Sequence, residues 1–192
     1  MVQNFFKLEN DNSVFDQVVN SLELSSIEVK VANTLKKARA KGNCVFVFGN
    51  GGGNGDHFAA DLFKICKVKA VSLNANAPLI SALTNDNGFS SIYIEQLKRF
   101  MKRGDIVIIQ SVHGGVGKDK ADKWSENLVV AAKWAKQRGG IVVAIVGFDG
   151  GILKKIAHYC IHIPLNDTFL VEASQNAVHH LLVKNLNLEE RK

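Results

Sequence analysis

The sequence of 192 residues has little proline and cysteine and no long apolar run. Two prolines beside sixteen glycines exclude a collagen-like or proline-rich chain. The three cysteines, Cys44, Cys66 and Cys160, are odd in number, far apart and set in apolar stretches. We therefore expect reduced, buried thiols instead of a disulfide framework. A zinc cluster held by cysteines would need paired spacing such as C-x-x-C, which the sequence lacks.

No apolar run approaches the length of about 20 residues that spans a bilayer, so we expect no membrane partner. Residues 1–11 carry Lys7, Glu9 and Asp11 and contain no signal-peptide core, which predicts a cytoplasmic protein. The net charge of +6 fits an anionic small molecule or nucleic acid. There is no run of five basic residues and no aromatic-interleaved basic patch or groove-reading motif, which argues against a nucleic-acid partner.

Hydrophobic residues make up 46% of the chain and charged residues 22%, as in one ordinary globular domain, here residues 1–192. Continuous apolar runs alternate with helical patterns, which predicts βαβ units and right-handed crossovers. The predicted fold class is α/β: a doubly wound (flavodoxin-like) five-stranded parallel sheet with helices on both faces, residues 43–192, preceded by a long N-terminal helix within residues 1–42. The predicted strands cover residues 44–48, 70–73, 106–109, 141–146 and 160–164, and the predicted helices cover residues 13–41, 57–66, 91–101, 124–137 and 170–188.

A glycine-rich loop at residues 49–55 follows the first predicted strand and opens a helix. Five glycines in seven residues let backbone amides approach a ligand, and the helix N-terminus favours an anion. A tight turn without a ligand is the alternative. A dinucleotide site is not indicated, because Asn54 stands where the third glycine is needed. The stretch 113–119 is not a Walker A loop, since Val112 and Asp119 break the pattern.

Several segments in unbroken order, from about residue 13 to the C-terminus, resemble the SIS-fold phosphoheptose isomerases. The matching segments are 49–52 (G-N-G-G), 57–62 (H-F-A-A-D-L), 84–89 (T-N-D-N-G-F), 149–151 (D-G-G) and a closing series over 163–180. The resemblance implies an aldose–ketose isomerase that acts on a sugar phosphate, usually sedoheptulose 7-phosphate, as a homotetramer.

The resemblance also implies a zinc ion held by His57, Asp61, Glu172 and His180, with Asp61 as the base and His180 as the acid/base partner. His57 and Asp61 are four residues apart and share one helix face. Glu172 and His180 are eight residues apart, so on a helix they are separated by about two turns along the axis and by about 80° around it. His179 is the alternative to His180, because it lies seven residues after Glu172, and a step of seven is closer to two whole helical turns than a step of eight. Polar residues lining a helix or subunit seam are the alternative.

By the resemblance, the predicted substrate-binding residues come from the glycine loop, the segment 84–89 and the second phosphate loop. They are Asn50, Gly51, Gly52, Gly53, Asp86, Ser111, His113, Lys118 and Ser125.

The chain also departs from that family. Asp61 replaces glutamate, Glu172 replaces glutamine, and Gly53 replaces a phosphate-binding serine. Val112 and His113 replace a threonine and a serine. A lysine-bearing insert, near residues 116–124, precedes Ser125. Either the lysines replace lost hydroxyl donors and phosphate still binds, or the substrate has changed. The insert could also be a solvated surface loop.

Three function classes follow from these observations. The first is a metal-assisted sugar-phosphate isomerase. The second is a non-catalytic SIS-fold homotetramer that binds a protein partner such as the bacterial replication initiator, which the weakened serine set favours. The third, a sugar-phosphate-sensing regulator, would need a DNA-binding domain for which we expect no room. We rank the isomerase first, because all four polar residues of the predicted metal site are present together.

Overall fold

The computed structural model describes residues 26–51, 55–115 and 124–187. Its five strands form one parallel sheet in the order β2-β1-β3-β4-β5. The strands are β1 (Cys44–Gly49), β2 (Lys69–Ser72), β3 (Ile106–Ser111), β4 (Ile141–Val146) and β5 (Tyr159–His162). This order confirms the predicted doubly wound fold and places the topological switch point between β1 and β3.

Seven helices lie in the described residues and cover both faces of the sheet. They are α1 (Ser26–Lys41), α2 (Gly55–Lys64), α3 (Ala77–Asn87), α4 (Ile94–Phe100), α5 (Glu126–Gln137), α6 (Gly151–Ile156) and α7 (Thr168–Asn187). None of these helices is long and apolar enough to cross a membrane. The predicted first helix began at residue 13, and its first part lies outside the described residues.

Two apolar cores, one on each face, result from the alternation of side chains along the strands. In β1, Val45 and Val47 point to the core shared with α1, α2 and α7. Phe46 and Phe48 point to the core shared with α4, α5 and α6. Burying side chains of this size stabilises the fold by roughly 1.5–3 kcal/mol each. Continuous apolar runs therefore mark strands that are buried on both faces.

The edge strand β2 departs from that expectation. Its residues alternate between exposed and half-buried, and 47% of Val71 is exposed. The apolar run therefore predicted the strand correctly. It also predicted burial on both faces, which was wrong, because an edge strand has a neighbour on one side only.

Two helices were not predicted from the sequence, and a third was predicted too long. Helix α3 has no fully buried residue, and only Ile80 and Leu83 of it pack against the core, so its apolar pattern is short. It begins where the Asn76 side chain accepts a hydrogen bond from the Leu79 amide. Helix α6 has six residues and one buried side chain. The predicted helix 91–101 is a 3-10 turn, Phe89–Ser91, followed by α4. Phe100, predicted on its apolar face, is exposed.

All three cysteines are free thiols, which agrees with the predicted reduced state. Cys66 is buried, whereas Cys44 and Cys160 are half-buried, so the prediction of burial was wrong for these two. Burial raises the pKa of Cys160 to about 11, which keeps this thiol protonated and poorly nucleophilic at neutral pH.

Candidate functional site

A cavity of about 760 Å³ opens at the carboxyl ends of β1 and β3, where ligands bind in doubly wound folds. Four of the predicted substrate-binding residues line it: Asn50, Ser111, His113 and Ser125. Residues not predicted also line it, among them Phe89, Trp124, Glu126, Asn127 and Thr168. The switch point therefore brings the two predicted phosphate loops together around one cavity.

The other predicted substrate-binding residues are placed differently. Asp86 is exposed on α3, where its carboxylate accepts a hydrogen bond of 2.8 Å from the Asn85 amide, and it does not line the cavity. Gly51 is exposed beside Asn50. Gly52, Gly53 and Lys118 lie outside the described residues.

A polar network fixes the loop that follows β1. The Asn50 and Asn127 side chains exchange two hydrogen bonds of 2.8 Å each. The Tyr93 hydroxyl donates to the Gly49 carbonyl at 2.6 Å, and the Asn74 amide donates to the same carbonyl at 2.9 Å. Burial raises the pKa of Tyr93 to about 12, so its hydroxyl remains a donor. The network joins the glycine loop to the start of α5 across the cavity.

An aromatic wall holds His113 at the cavity. Its ring centroid lies 4.1 Å from that of Phe148 and 5.2 Å from that of Trp124. Phe148 has φ of 48° and the cavity residue Ser125 has φ of 55°, a left-handed backbone that costs roughly 1–2 kcal/mol in non-glycine residues. Strain of this kind persists where the surrounding structure imposes it, which is common at functional sites. The apolar pattern of the sequence did not indicate that Phe148 packs on His113 at the cavity.

A second polar cluster joins α2 to α7. His57 Nε2 lies 3.3 Å from Asp61 Oδ2, and His180 Nδ1 lies 3.9 Å from the same oxygen. One ligand atom from each of the three side chains lies within 4.8 Å of the others. The side chain of Asp61 is 16% exposed, against 52% for His57 and 62% for His180. The carboxylate therefore sits beneath two accessible imidazoles.

The donor set of this cluster fits a divalent metal ion. Two imidazoles and one carboxylate are the protein ligands of many catalytic zinc sites, which keep a fourth position open. Glu172, predicted as the fourth ligand, lies about 12 Å before His180 along the α7 axis and does not belong to the group. The three grouped side chains, His57, Asp61 and His180, could hold the ion and leave a position for substrate.

The choice between His179 and His180 is settled by burial. His179 is 3% exposed, and its ring stacks on Phe58 with centroids 4.3 Å apart and planes at 6°. Burial, with the nearby His180 and His57, lowers the pKa of His179 to about 3. His179 is therefore a neutral core residue, and His180 is the histidine that faces the cluster.

The His179→Phe variant is expected to raise the free energy of unfolding by about 1 kcal/mol. Within the described residues, His179 Nε2 is buried without a hydrogen-bond partner, and such a group costs about 1–3 kcal/mol. Phenylalanine keeps the stack on Phe58 and removes the buried nitrogen. Urea unfolding measures the change, with His179→Ala as the matched control that loses the stack. A phenylalanine variant as unstable as the alanine variant would contradict this prediction.

Comparison with known proteins finds relatives among the phosphoheptose isomerases and one antibiotic biosynthesis protein. No family model matches the sequence. The phosphoheptose isomerase of Geobacter sp. strain M21 is 32% identical over 168 residues, which cover 83% of this chain and 82% of that protein. The lincomycin biosynthesis protein LmbN of Streptomyces lincolnensis is 40% identical over 146 residues, or 70% of this chain. The matched region spans about half, 52%, of the length of LmbN.

The structure of phosphoheptose isomerase GmhA from Neisseria gonorrhoeae shares the fold. It superposes with a TM-score of 0.81 at 21% identity, covering 94% of this chain and 98% of that one. Fold and relatives together define a phosphosugar isomerase of the SIS fold. Within that class, the chain belongs to the phosphoheptose isomerase family, which confirms the resemblance found in the sequence.

Proposed function

We propose that this chain interconverts the aldose and ketose forms of a sugar phosphate through an enediol, with sedoheptulose 7-phosphate or a related sugar as substrate. The observation that carries this proposal is the convergence of His57, Asp61 and His180 within 4.8 Å. Isomerisation needs a base for the proton alpha to the carbonyl and an acid for the carbonyl oxygen. The cluster offers both kinds of group on two helices that pack together.

In this proposal Asp61 is the base. Its carboxylate takes the proton from the carbon next to the carbonyl and returns it to the former carbonyl carbon. His180 moves the proton between the two substrate oxygens. His57, 3.3 Å from Asp61 on the same helix face, orients the carboxylate. Positioned acid–base groups of this kind contribute about 10²–10⁴-fold to the rate.

Zinc or another divalent ion, one per subunit, is the proposed cofactor. When bound, such an ion polarises a carbonyl oxygen and stabilises the negative charge that develops on it. His57, Asp61 and His180 would hold the ion. A carboxylate has two oxygens, so Asp61 can face the imidazoles with one oxygen and accept a proton on the other.

The cavity at the switch point is the proposed phosphate and sugar site. Asn50, Ser111, His113 and Ser125 bring hydrogen-bond donors to it. Its described lining contains no lysine or arginine, so the donors and the amino end of α5 would anchor the phosphate. The role of Lys118, and of Gly51, Gly52 and Gly53, stays a prediction. We expect the carboxylate of Glu126 to accept hydrogen bonds from sugar hydroxyls.

The homotetramer also stays a prediction, as do the domain boundaries. The exposed side chains of Phe63 on α2 and Phe169 on α7, 64% and 80% exposed, support assembly, because apolar groups of this size are commonly covered in oligomers. These are the two helices that carry the polar cluster.

The test of the proposal is turnover of five-, six- and seven-carbon sugar phosphates by the purified protein. We expect turnover to be fastest with sedoheptulose 7-phosphate, to be lost after EDTA treatment and dialysis, and to return with Zn²⁺. Protein dialysed without EDTA is the control. An absence of turnover on every sugar phosphate, with Zn²⁺ restored, would overturn the isomerase proposal. That result would favour the alternative of a non-catalytic homotetramer that binds a protein such as the replication initiator.

A further inference from the structure

A second pocket, of about 330 Å³, lies away from the cavity at the switch point. Its lining consists of Lys98, Met101, Arg103, Trp134 and Arg138. Arg103 precedes β3 and Arg138 precedes β4 in the chain. The pocket therefore lies at the amino ends of these strands, whereas the cavity lies at the carboxyl ends.

The positive charge of this pocket is poorly compensated. Of its three cations, Lys98 forms an ion pair of 2.6 Å with Glu95. In the part of the chain that the structure describes, Arg103 and Arg138 have no carboxylate partner. The nearby Asp105 is 4% exposed and accepts hydrogen bonds from the backbone amides of Cys44 and Lys102. Two guanidinium groups in one small pocket repel each other, so an anion between them is favoured.

The two arginines are also held in place. The Arg138 guanidinium lies over the Trp134 ring, 5.5 Å from its centroid, which favours that position by a cation–π interaction. The Arg103 stem packs on Gly139, where an added Cβ would lie 2.9 Å from Arg103 Cγ. The Gly104 amide donates a 3.0 Å hydrogen bond to the Gly139 carbonyl, which ties the two loops together. Groups ordered in advance lose less entropy when a ligand binds.

We infer that this pocket binds a polyphosphate group, either free inorganic polyphosphate or the phosphate chain of a nucleotide, separately from the sugar-phosphate cavity. Guanidinium groups match phosphate oxygens with two parallel hydrogen bonds each. Lys98 is already paired with Glu95, but each of the two arginines can bind a separate phosphate group, which favours a chain of linked phosphates over a single one. The sequence gave no sign of the site, because its cations come from two segments, 98–103 and 134–138, that only the fold brings together.

Fluorescence of Trp134 tests this inference directly. The chain has two tryptophans, so the Trp124→Phe variant leaves Trp134 as the reporter. Titration with inorganic tripolyphosphate is expected to give a saturable change in fluorescence. In that background, Arg103→Gln with Arg138→Gln is expected to weaken binding at least tenfold. The matched control is Lys37→Gln with Lys41→Gln, which removes the same charge from exposed positions on α1 and is expected to change binding less than twofold.

Two results would overturn the inference: no saturable fluorescence change, or equal weakening by both double variants, which would indicate attraction to the net charge alone. Thermal unfolding of each variant checks that it folds, and the single Arg138→Gln variant replaces the double variant if that one does not. Titration with ATP separates the two sources. Binding tighter than that of tripolyphosphate supports a nucleotide, and equal binding supports the polyphosphate group alone. Either outcome is independent of sugar-phosphate turnover.

Discussion

Replacing Asp61 with asparagine is expected to lower kcat for sugar-phosphate isomerisation by about 10³-fold, within the range of general acid–base catalysis. The amide keeps the size of the side chain but cannot accept the substrate proton. It also removes the negative charge that lies 3.3 Å from His57 and 3.9 Å from His180, so metal content is expected to fall in the same variant. KM is expected to change less than threefold, because the proposed phosphate anchors do not include Asp61 or the two histidines beside it.

The matched control for this variant is Asp61→Glu, which restores the residue type of the resembled family. Glutamate keeps the charge and extends the carboxylate by one methylene, so we expect at least a tenth of the original kcat and a normal metal content. Steady-state kinetics with Zn²⁺ in excess, together with metal analysis, separate loss of the base from loss of the ion. An asparagine variant with near-normal kcat would show that another group takes the proton.

Apolar runs predicted the sheet well because its central strands are buried on both faces. The strand Ile141–Val146 was predicted with its observed bounds, and the glycine loop led to the switch point. Helix α3 was not predicted because only Ile80 and Leu83 of it pack against the core, and two apolar side chains are too few to distinguish a helix from a loop. The exposure of Val71 depends on which strand lies at the edge, and that order is set by the whole fold.

The candidate site, too, was only partly predictable from the sequence. A spacing of four residues was enough to place His57 and Asp61 on one helix face. The choice of His180 over His179 was not predictable from spacing, because it depends on the rotation of α7 against α2, which buries His179 on Phe58. Asn127 and Phe148 act through contacts with residues distant in sequence. Their roles therefore emerge only from the packed structure.

The Gly114→Ala variant is expected to lower the free energy of unfolding by about 4 kcal/mol. Gly114 follows β3 with φ of 68°, and an added Cβ would overlap the Gly150 carbonyl and lie 2.9 Å from the Gly151 amide nitrogen. Left-handed backbone costs alanine roughly 1–2 kcal/mol, and overlap with rigid backbone adds about 1–3 kcal/mol. Urea unfolding measures the loss, with an unchanged m value as the sign that both states keep their compactness.

Gly42→Ala is the matched control for Gly114→Ala. Gly42 has φ of 69°, and an added Cβ would contact only the end of the Lys69 side chain, at 3.5 Å, so this variant carries the backbone strain without the overlap and should lose roughly 1–2 kcal/mol. The Gly114 amide donates to Ser111 Oγ at 3.1 Å, so displacement of this turn should also move a cavity residue and raise KM for the sugar phosphate. Equal losses of stability in the two variants would show that left-handed strain, and not the contact between the two glycine turns, makes Gly114 necessary.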